Sequence, residues 1–546
     1  MDNVKQQTTG DGLKTTMAES GSQMTFQSLF RRSCHAFGRN KLILDKHSLT
    51  VLTYSEAASL VETTSALLAR LGVRKSGTVV SYAPLNLESI LLCWACLVNG
   101  VVFIPVDHDW PEALLGHVID QTSPMLILTD RERHGLVRNR FKPGRVLLCG
   151  EADSGAGALG FYDGLAACRD KRKWDSDPVR PDELAVILYT SGSTGTPKGV
   201  MLSQHSLCNS GRLISDFFNW GPGDRFMNLG ELHSMSGLRN TCIAPLIRGS
   251  SFLVADVEDR RNVLSILERI QEFSITFVGV APIMVRQMAV VASSSRKDML
   301  SSLRAVLCTG AGLSSGALQA FYTAYGIPVL NYYGLTETAG ICAGHTFSTF
   351  SPTDASIGFP VGASLSLAPD PERASSGDVG ELLVESDNVM LGYYGNDRET
   401  VDMMKNGIVH TGDLARVRHD GCYELVGRKS NIVNTIRSER ICLEEIDAAL
   451  EAHPTIREAC ACRYLKTDDD ERIVVFIVPE KDFREPGQAF IDRIKKDLTA
   501  MLGRYRAPWF YYIETELPRT TAGKIKRYTL RERLDEYLRV QHKRYF

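Results

Sequence analysis

The run "TSGSTGTPKG", residues 190 to 199, gathers glycines, Ser and Thr hydroxyls and one ammonium group, at Lys198, into a single stretch. Backbone N–H groups freed from side-chain bulk can converge on an anion. Hydroxyls beside them add donors and a lysine adds a point charge, so phosphate binding is the chemistry such a run could perform. Two standard nucleotide fingerprints fail on spacing. Counting from Gly192, the second glycine of G-x-x-x-x-G-K-[ST] falls on Pro197 and its hydroxyl position on Gly199, while Gly192-Ser193-Thr194-Gly195 lacks the G-x-G-x-x-G interval. By composition alone the run also suits a surface loop, where Gly, Ser, Thr and Pro dominate.

Other chemistry-bearing residues are scattered. "NYYGLTE", ending at Glu337, reads alone as a turn before a helix that Thr336 or Glu337 caps. Gly310, Ala311 and Gly312 in "CTGAGLSS" read as a turn, as does "HTGD" ending at Asp413. Lys524 in "RTTAGKIKR" reads as a solvated surface charge.

The elements that must position these residues alternate. Apolar runs such as "TVVSYA", "MLILTD", "LAVILYT", "ITFVGVA", "RAVLCTG" and "IPVLNYYG" are separated by stretches of helical period, including "EAASLVETTSALLARLG" and "RRNVLSILERIQEF". That pattern predicts an α/β fold with buried parallel strands flanked by helices. From about residue 355 the strands shorten and turn signals such as His419-Asp420-Gly421 separate them, which predicts a small β-barrel-like subdomain. After Arg428 the pattern becomes α+β, with the helices "LEEIDAALEAH" and "FIDRIKKDLTAML" around the strand "RIVVFIVPE". The expected organisation is a disordered leader over 1–24, a core over 25–427 and a small C-terminal domain over 428–546.

A chain of 546 residues exceeds what one hydrophobic core supports. Its net charge of -2 supplies no basic field for nucleic acid, leaving small molecules or proteins as partners. The 13 cysteines lack the spacing of a disulfide framework, and Cys460 and Cys462 form C-x-C rather than a zinc pair. No run is long and apolar enough to span a bilayer, and the polar N-terminus lacks the apolar stretch of a secretory signal. The expected setting is the reducing cytoplasm.

Taken in order, "VVFIPVDHDWPEALLGHVIDQTSPMLILTD", "YTSGSTGTPKGV", "NYYGLTET", "SIGFPVG", "GELLVESDNVMLGYY", "HTGD", "LVGR" and "LPRTTAGKIKR" resemble the signature motifs of the adenylate-forming superfamily, which comprises acyl- and aryl-CoA synthetases, peptide-synthetase adenylation domains and luciferases. The resemblance runs from about residue 25 to the basic C-terminal segment. It implies ATP-dependent conversion of a carboxylic acid to an acyl-AMP with release of pyrophosphate, followed by transfer to the thiol of coenzyme A or of a carrier-protein phosphopantetheine. It also implies residue roles. Thr190, Ser191, Gly192, Ser193, Thr194, Gly195 and Lys198 would hold the β- and γ-phosphates, and Gly310, Ala311 and Gly312 would form the turn beside adenine. Tyr333 would stack on the base, Thr336 would contact the α-phosphate and Glu337 would hold Mg2+. Asp413 and Arg428 would bind the ribose, with the C-terminal domain moving about a hinge near Arg428. Lys524 would bridge the carboxylate and the α-phosphate. The joint presence of Lys198, Glu337, Asp413, Arg428 and Lys524 argues against an inactive nucleotide-binding relative.

Two stretches bear on substrate and acceptor. "GELHSMSGLRN" matches the motif that lines the acyl pocket, with Val278 to Val280, Gly310 to Gly312 and "AGICAG" as further walls. Amino-acid-activating domains place an aspartate there, because a buried ammonium needs a carboxylate. Here Leu232-His233-Ser234 resembles the His-containing form of acyl- and aryl-acid enzymes, although Glu231 keeps an amino acid open and His233 also suits a structural histidine. After Arg428, Ser430 stands at the hinge place of Asp or Lys, Asn434 near the usual lysine, and Ser438 near the glycine of the loop that lines the thiol tunnel. A Cβ there restricts both backbone and ligand approach, so direct capture of the adenylate by an amine or other small nucleophile is the alternative to thioester formation.

Overall fold

The structure, a computed structural model, describes residues 24–47, 49–142, 144–150, 157–168, 177–190, 197–369, 379–434, 440–467, 470–480, 487–502, 507–519 and 525–542. The apolar runs form the strands expected of them and sort into two large sheets. One has eight strands, in the order Gly392–Tyr393, Lys198–Ser203, Leu184–Thr190, Val102–Pro105, Thr78–Tyr82, Leu126–Thr129, Val146–Leu148 and Leu159–Gly160. The other has nine, in the order Phe359–Pro360, Gly340–Gly344, Val329–Leu335, Ala305–Cys308, Phe277–Val280, Arg225–Asn228, Ser251–Val254, Lys41–Asp45 and Thr50–Thr53. Pairing is parallel through the middle of both sheets, with antiparallel strands at one edge of the eight-stranded sheet and at both edges of the nine-stranded one. The α/β reading holds.

A single hydrophobic core reaches strands of both sheets, including Val79, Phe103 and Val186 of one and Phe226, Phe252 and Phe277 of the other. The helix Leu87–Val98, "LESILLCWACLV", belongs to that core along nearly its whole length. A helix apolar on every face must be covered on every face, and this one is buried from Leu87 to Leu97. Asn86 caps it by accepting from the Ser89 N–H at 2.8 Å, and the Trp94 indole donates to the Cys242 carbonyl at 2.8 Å. Burying each such large apolar side chain contributes roughly 1.5–3 kcal/mol.

The region beyond residue 355 is a five-stranded sheet of half-barrel character with antiparallel pairing throughout. Its hairpin Ile408–Val417 to Tyr423–Arg428 turns at the expected place, with Gly421 at φ 83°. From Ile432 onward the strands belong to separate small sheets, packed with the helices Leu443–Glu451, Gly487–Leu502 and Arg527–His542.

Three features depart from the sequence reading or lie beyond it. "NYYGLTE" is not a turn before a helix. It is the end of the strand Val329–Leu335, followed by a short 3-10 turn Thr336–Thr338 and an antiparallel return strand Gly340–Gly344. The reversal is tight enough that a Cβ on Gly334 would lie 1.6 Å from the Gly340 carbonyl oxygen, so only glycine fits. The strand Lys198–Ser203 folds back antiparallel on Leu184–Thr190 inside a mainly parallel sheet. Cys460 and Cys462 sit on the strand Ile456–Thr467 and are both fully buried in one apolar cluster, so their spacing follows the two-residue period of a strand face.

Candidate active site

The last pair of the hairpin that carries the glycine-rich run is Thr190 with Lys198. Ser191, Gly192, Ser193, Thr194 and Gly195 lie outside the described residues. Beyond the hairpin, the strand Lys198–Ser203 receives an edge strand from far along the chain. Gly392–Tyr393 pairs antiparallel with it, and the Tyr394 N–H donates to the Gly199 carbonyl at 2.8 Å.

That edge strand brings Tyr393 between two expected site residues. Its hydroxyl donates to Glu337 Oε1 at 2.8 Å, while Lys198 Nζ lies 5.6 Å from the centre of its ring. The Met390 N–H donates to the Glu337 carbonyl at 2.8 Å, fixing the same segment to the 3-10 turn. Lys198 Nζ pairs with Glu399 Oε2 at 2.6 Å. Burial, and then the Glu337 charge, push the Tyr393 phenol far up, so it stays a donor at every physiological pH. Thr336 stands beside Glu337 in the same turn, half-buried.

A second cluster centres on Asp413, which is 3% exposed. Its Oδ2 accepts from the Tyr333 hydroxyl at 2.5 Å and its Oδ1 pairs with Arg428 Nε at 2.6 Å. Asp413 and Arg428 face each other across the hairpin, as partners in register. Burial and the neighbouring Asp413 push the Tyr333 phenol well up, and Arg428 is held above its usual range by Asp413 although burial opposes this. The "HTGD" corner is set by Glu381, whose carboxylate accepts from the Gly412 N–H at 3.1 Å, meets His410 Nδ1 at 3.4 Å and pairs with Lys429 Nζ at 3.0 Å. Burial raises the Glu381 carboxyl, but Lys429, His410 and that N–H together hold it below the usual range.

On the acyl side, His233 is largely buried, with Nε2 3.7 Å from Asp107 Oδ2. Burial lowers the imidazole below its ordinary value, and Asp107 only partly offsets this, so His233 tends to the neutral form. Glu231 has other work: its Oε2 accepts from the Leu85 N–H at 2.7 Å and its Oε1 pairs with Arg260 at 2.8 Å, both side chains being buried. A carboxylate so engaged is not itself free to serve as counter-ion for a substrate ammonium. Gly310, Ala311 and Gly312 form an exposed turn directly after the strand Ala305–Cys308, with Gly310 at φ 95°. Among the described residues, its chain neighbours aside, no atom stands within 4 Å of where a Gly312 Cβ would be.

The structure thus groups Lys198 with Glu337 and Tyr333 with Asp413 and Arg428, and it sets His233 beside Asp107. Ser430 is exposed in the 3-10 turn Lys429–Asn431 and Asn434 ends a short strand. Lys524 and Ser438 lie outside the described residues.

The AMP-binding enzyme family matches residues 30–394, and the AMP-binding enzyme C-terminal domain matches residues 445–524. The chain belongs to the AMP-binding enzyme family. Its relatives include a sulfoacetate–CoA ligase of Cupriavidus necator, 27% identical over 89% of this chain and 94% of that one. An L-proline–[L-prolyl-carrier protein] ligase of Pseudomonas fluorescens is 26% identical over 93% and 99%. An anthranilate CoA ligase solved with anthranoyl-AMP shares the fold at a TM-score of 0.83 and 20% identity, covering 94% of this chain and 98% of that one. An amide bond synthetase of Marinactinospora thermotolerans superposes at a TM-score of 0.77 and 21% identity, over 93% and 99%.

As an AMP-binding enzyme, the chain is an AMP-forming ligase that activates a carboxylic acid with ATP. Sequence reasoning missed Tyr393, Glu399 and Glu381 in this AMP-binding enzyme. Tyr393 lies inside the quoted run "GELLVESDNVMLGYY", but a tyrosine in an apolar run carries no mark of the carboxylate it will meet.

Proposed function

We propose that this chain adenylates a non-amino carboxylic acid and passes the acyl group to a thiol. A carboxylate oxygen of the acid attacks the α-phosphorus of ATP, the bond to the β-phosphate oxygen breaks, and pyrophosphate leaves. The thiol sulfur then attacks the acyl carbon, its proton is lost, and AMP leaves. The observation that carries this reading is Tyr393, which draws Lys198 and Glu337 to one ring. A cation suited to departing phosphates and a carboxylate suited to a hard metal thereby share a site.

In this reading Thr190, the 191–195 segment and Lys198 retain the pyrophosphate. Tyr333 and the turn Gly310 to Gly312 receive the adenine, Thr336 orients the α-phosphate, and Asp413 and Arg428 hold the ribose. An ionised carboxylate has about four acceptor sites, so Asp413 retains capacity for ribose hydroxyls beyond its two present partners. Glu337 is the hard oxygen donor that fits Mg2+, which when bound would neutralise phosphate oxygens. Lys524 supplies the positive charge between carboxylate and α-phosphate, from a C-terminal domain that begins after Arg428 and rotates there. The engaged state of Glu231 and the near-neutral His233 support an acid without an α-ammonium group.

Both coenzyme A ligases and a carrier-protein ligase among the relatives support a thiol acceptor. Ser438, near the place of the family's tunnel-loop glycine, favours amine capture as the second reading.

ATP–pyrophosphate exchange over fatty, aryl and amino acids, followed by trials with coenzyme A, a holo-carrier protein and simple amines, tests the proposal. Exchange is expected with non-amino acids, and Lys524→Ala should lower it by about a hundredfold or more, the scale of one preorganised charge at a reacting centre. Exchange confined to amino acids, or unaffected by that substitution, would overturn it.

A further inference from the structure

The helical segment Met235–Arg248 is interrupted by a π stretch, Arg239–Ile243, set between two α-helical turns. Such insertions swing a side chain out of its regular direction and recur at functional sites. The side chain at its start is a guanidinium. Arg239 is fully buried, yet among the described residues no carboxylate pairs with it. Nε donates to Asn240 Oδ1 at 2.8 Å and Nη2 to the Tyr332 hydroxyl at 3.1 Å, with the guanidinium 5.5 Å from the centre of the Tyr332 ring. Among the described residues Nη1 has no hydrogen-bond partner.

The place of that orphaned nitrogen matters. A Cβ on Gly340 would lie 2.1 Å from Arg239 Nη1 and 3.5 Å from Met235 Cγ, so Nη1 rests against the backbone of the return strand. Gly340 begins the strand that follows the Glu337 turn, and Met235 stands just past His233. The guanidinium therefore sits where the two proposed walls of the acyl pocket meet. A guanidinium does not discharge under physiological conditions, whatever its burial. A buried, unpaired charge is destabilising, and burial here lowers the proton affinity of Arg239 without removing the proton. The missing partner is an anion, and planar guanidinium donors match a carboxylate or sulfonate.

We propose that Arg239 is the counter-ion for a second anionic group at the far end of the acid substrate, so that the preferred substrates are short dianionic acids. The inference rests on the adenylation reading above. A monoanionic acid would bring no partner for Nη1, whereas a terminal carboxylate or sulfonate would supply one at the moment of binding.

The test measures exchange with matched pairs on the unmodified enzyme: succinate against its monomethyl ester, glutarate against its monomethyl ester, benzene-1,4-dicarboxylate against its monomethyl ester, and 3-sulfopropionate against pentanoate. The dianion of at least one pair should have kcat/KM at least tenfold above its partner. In Arg239→Met that ratio should fall toward one, and in Arg239→Lys part of it should return. A purely structural arginine would lower both members of a pair by the same factor, leaving the ratio unchanged, and that result overturns the proposal. Preference for the monoanion in every pair overturns it while leaving adenylation standing. Exchange with no acid of any class would instead count against adenylation itself, and the inference would fall with it.

Discussion

Removing one oxygen atom from Tyr393 would separate two effects that the wild-type site combines. Tyr393→Phe keeps the ring facing Lys198 but deletes the donor to Glu337 Oε1. A hydrogen bond to a charged group contributes about 1.5–3 kcal/mol, so the exchange rate should fall by roughly ten- to a hundredfold. The Mg2+ concentration for half-maximal rate should rise with it, because Glu337 loses its orientation; an unchanged Mg2+ requirement would remove Tyr393 from the site. His233 offers a second test. Burial lowers its pKa in the folded state, as it does for His205 and His345. Below about pH 6.5 the unfolded chain takes up these protons first, so stability present above that value is lost as the pH falls, until the folded-state pKa values are passed. Melting temperatures compared at pH 7 and pH 5.5 should drop less in His233→Gln than in wild type, and an equal drop contradicts the assignment. At this scale the sequence was partly readable. Asp413 and Arg428 announced themselves through short motifs with fixed neighbours. Arg239 and Glu381 did not, because the meaning of a charged residue lies in partners that only the folded chain brings near.

At the scale of elements, the same limit has a different cause. Apolar runs marked the central strands, since burial on both faces demands continuous hydrophobicity. The antiparallel strands Lys198–Ser203, Gly340–Gly344 and Gly392–Tyr393 near the sheet margins were missed, being short or fed by turns rather than helices. Yet these strands carry Lys198, back the Glu337 turn and deliver Tyr393. The Glu337 turn depends on a backbone contact that tolerates no side chain. Gly334→Ala should cost about 1–3 kcal/mol or more through forced displacement of the return strand, with exchange activity falling alongside. Gly312→Ala, with open space around the new methyl, should change stability by no more than about 0.5 kcal/mol. Denaturant unfolding of the two variants decides the point, and equal losses would refute the close-contact argument.

At the scale of the whole molecule, contacts among the described residues tie the C-terminal region to the rest. Cys442 Sγ lies 3.5 Å from the Val426 carbonyl oxygen, and a Gly427 Cβ would lie 1.9 Å from Cys442 Sγ, so the start of the helix Leu443–Glu451 presses on the end of the half-barrel hairpin. Arg286 of the large core reaches Glu480 at 3.6 Å, with both side chains partly exposed. Exposed pairs contribute about 0–1 kcal/mol, so Arg286→Ala should barely move the melting temperature. On the proposed reading, in which the C-terminal domain rotates near Arg428, it should nonetheless alter the ratio of thioester formation to pyrophosphate exchange, because it weakens one orientation of that domain relative to any other. A constant ratio would show the ion pair to be incidental. The pairing of Gly392–Tyr393 with the strand behind the glycine-rich run has a consequence for biogenesis. During synthesis the hairpin of Thr190 and Lys198 can form long before residue 393 leaves the ribosome. A nascent or truncated chain that stops short of residue 393 would thus hold Lys198 and Glu337 without the tyrosine that meets both.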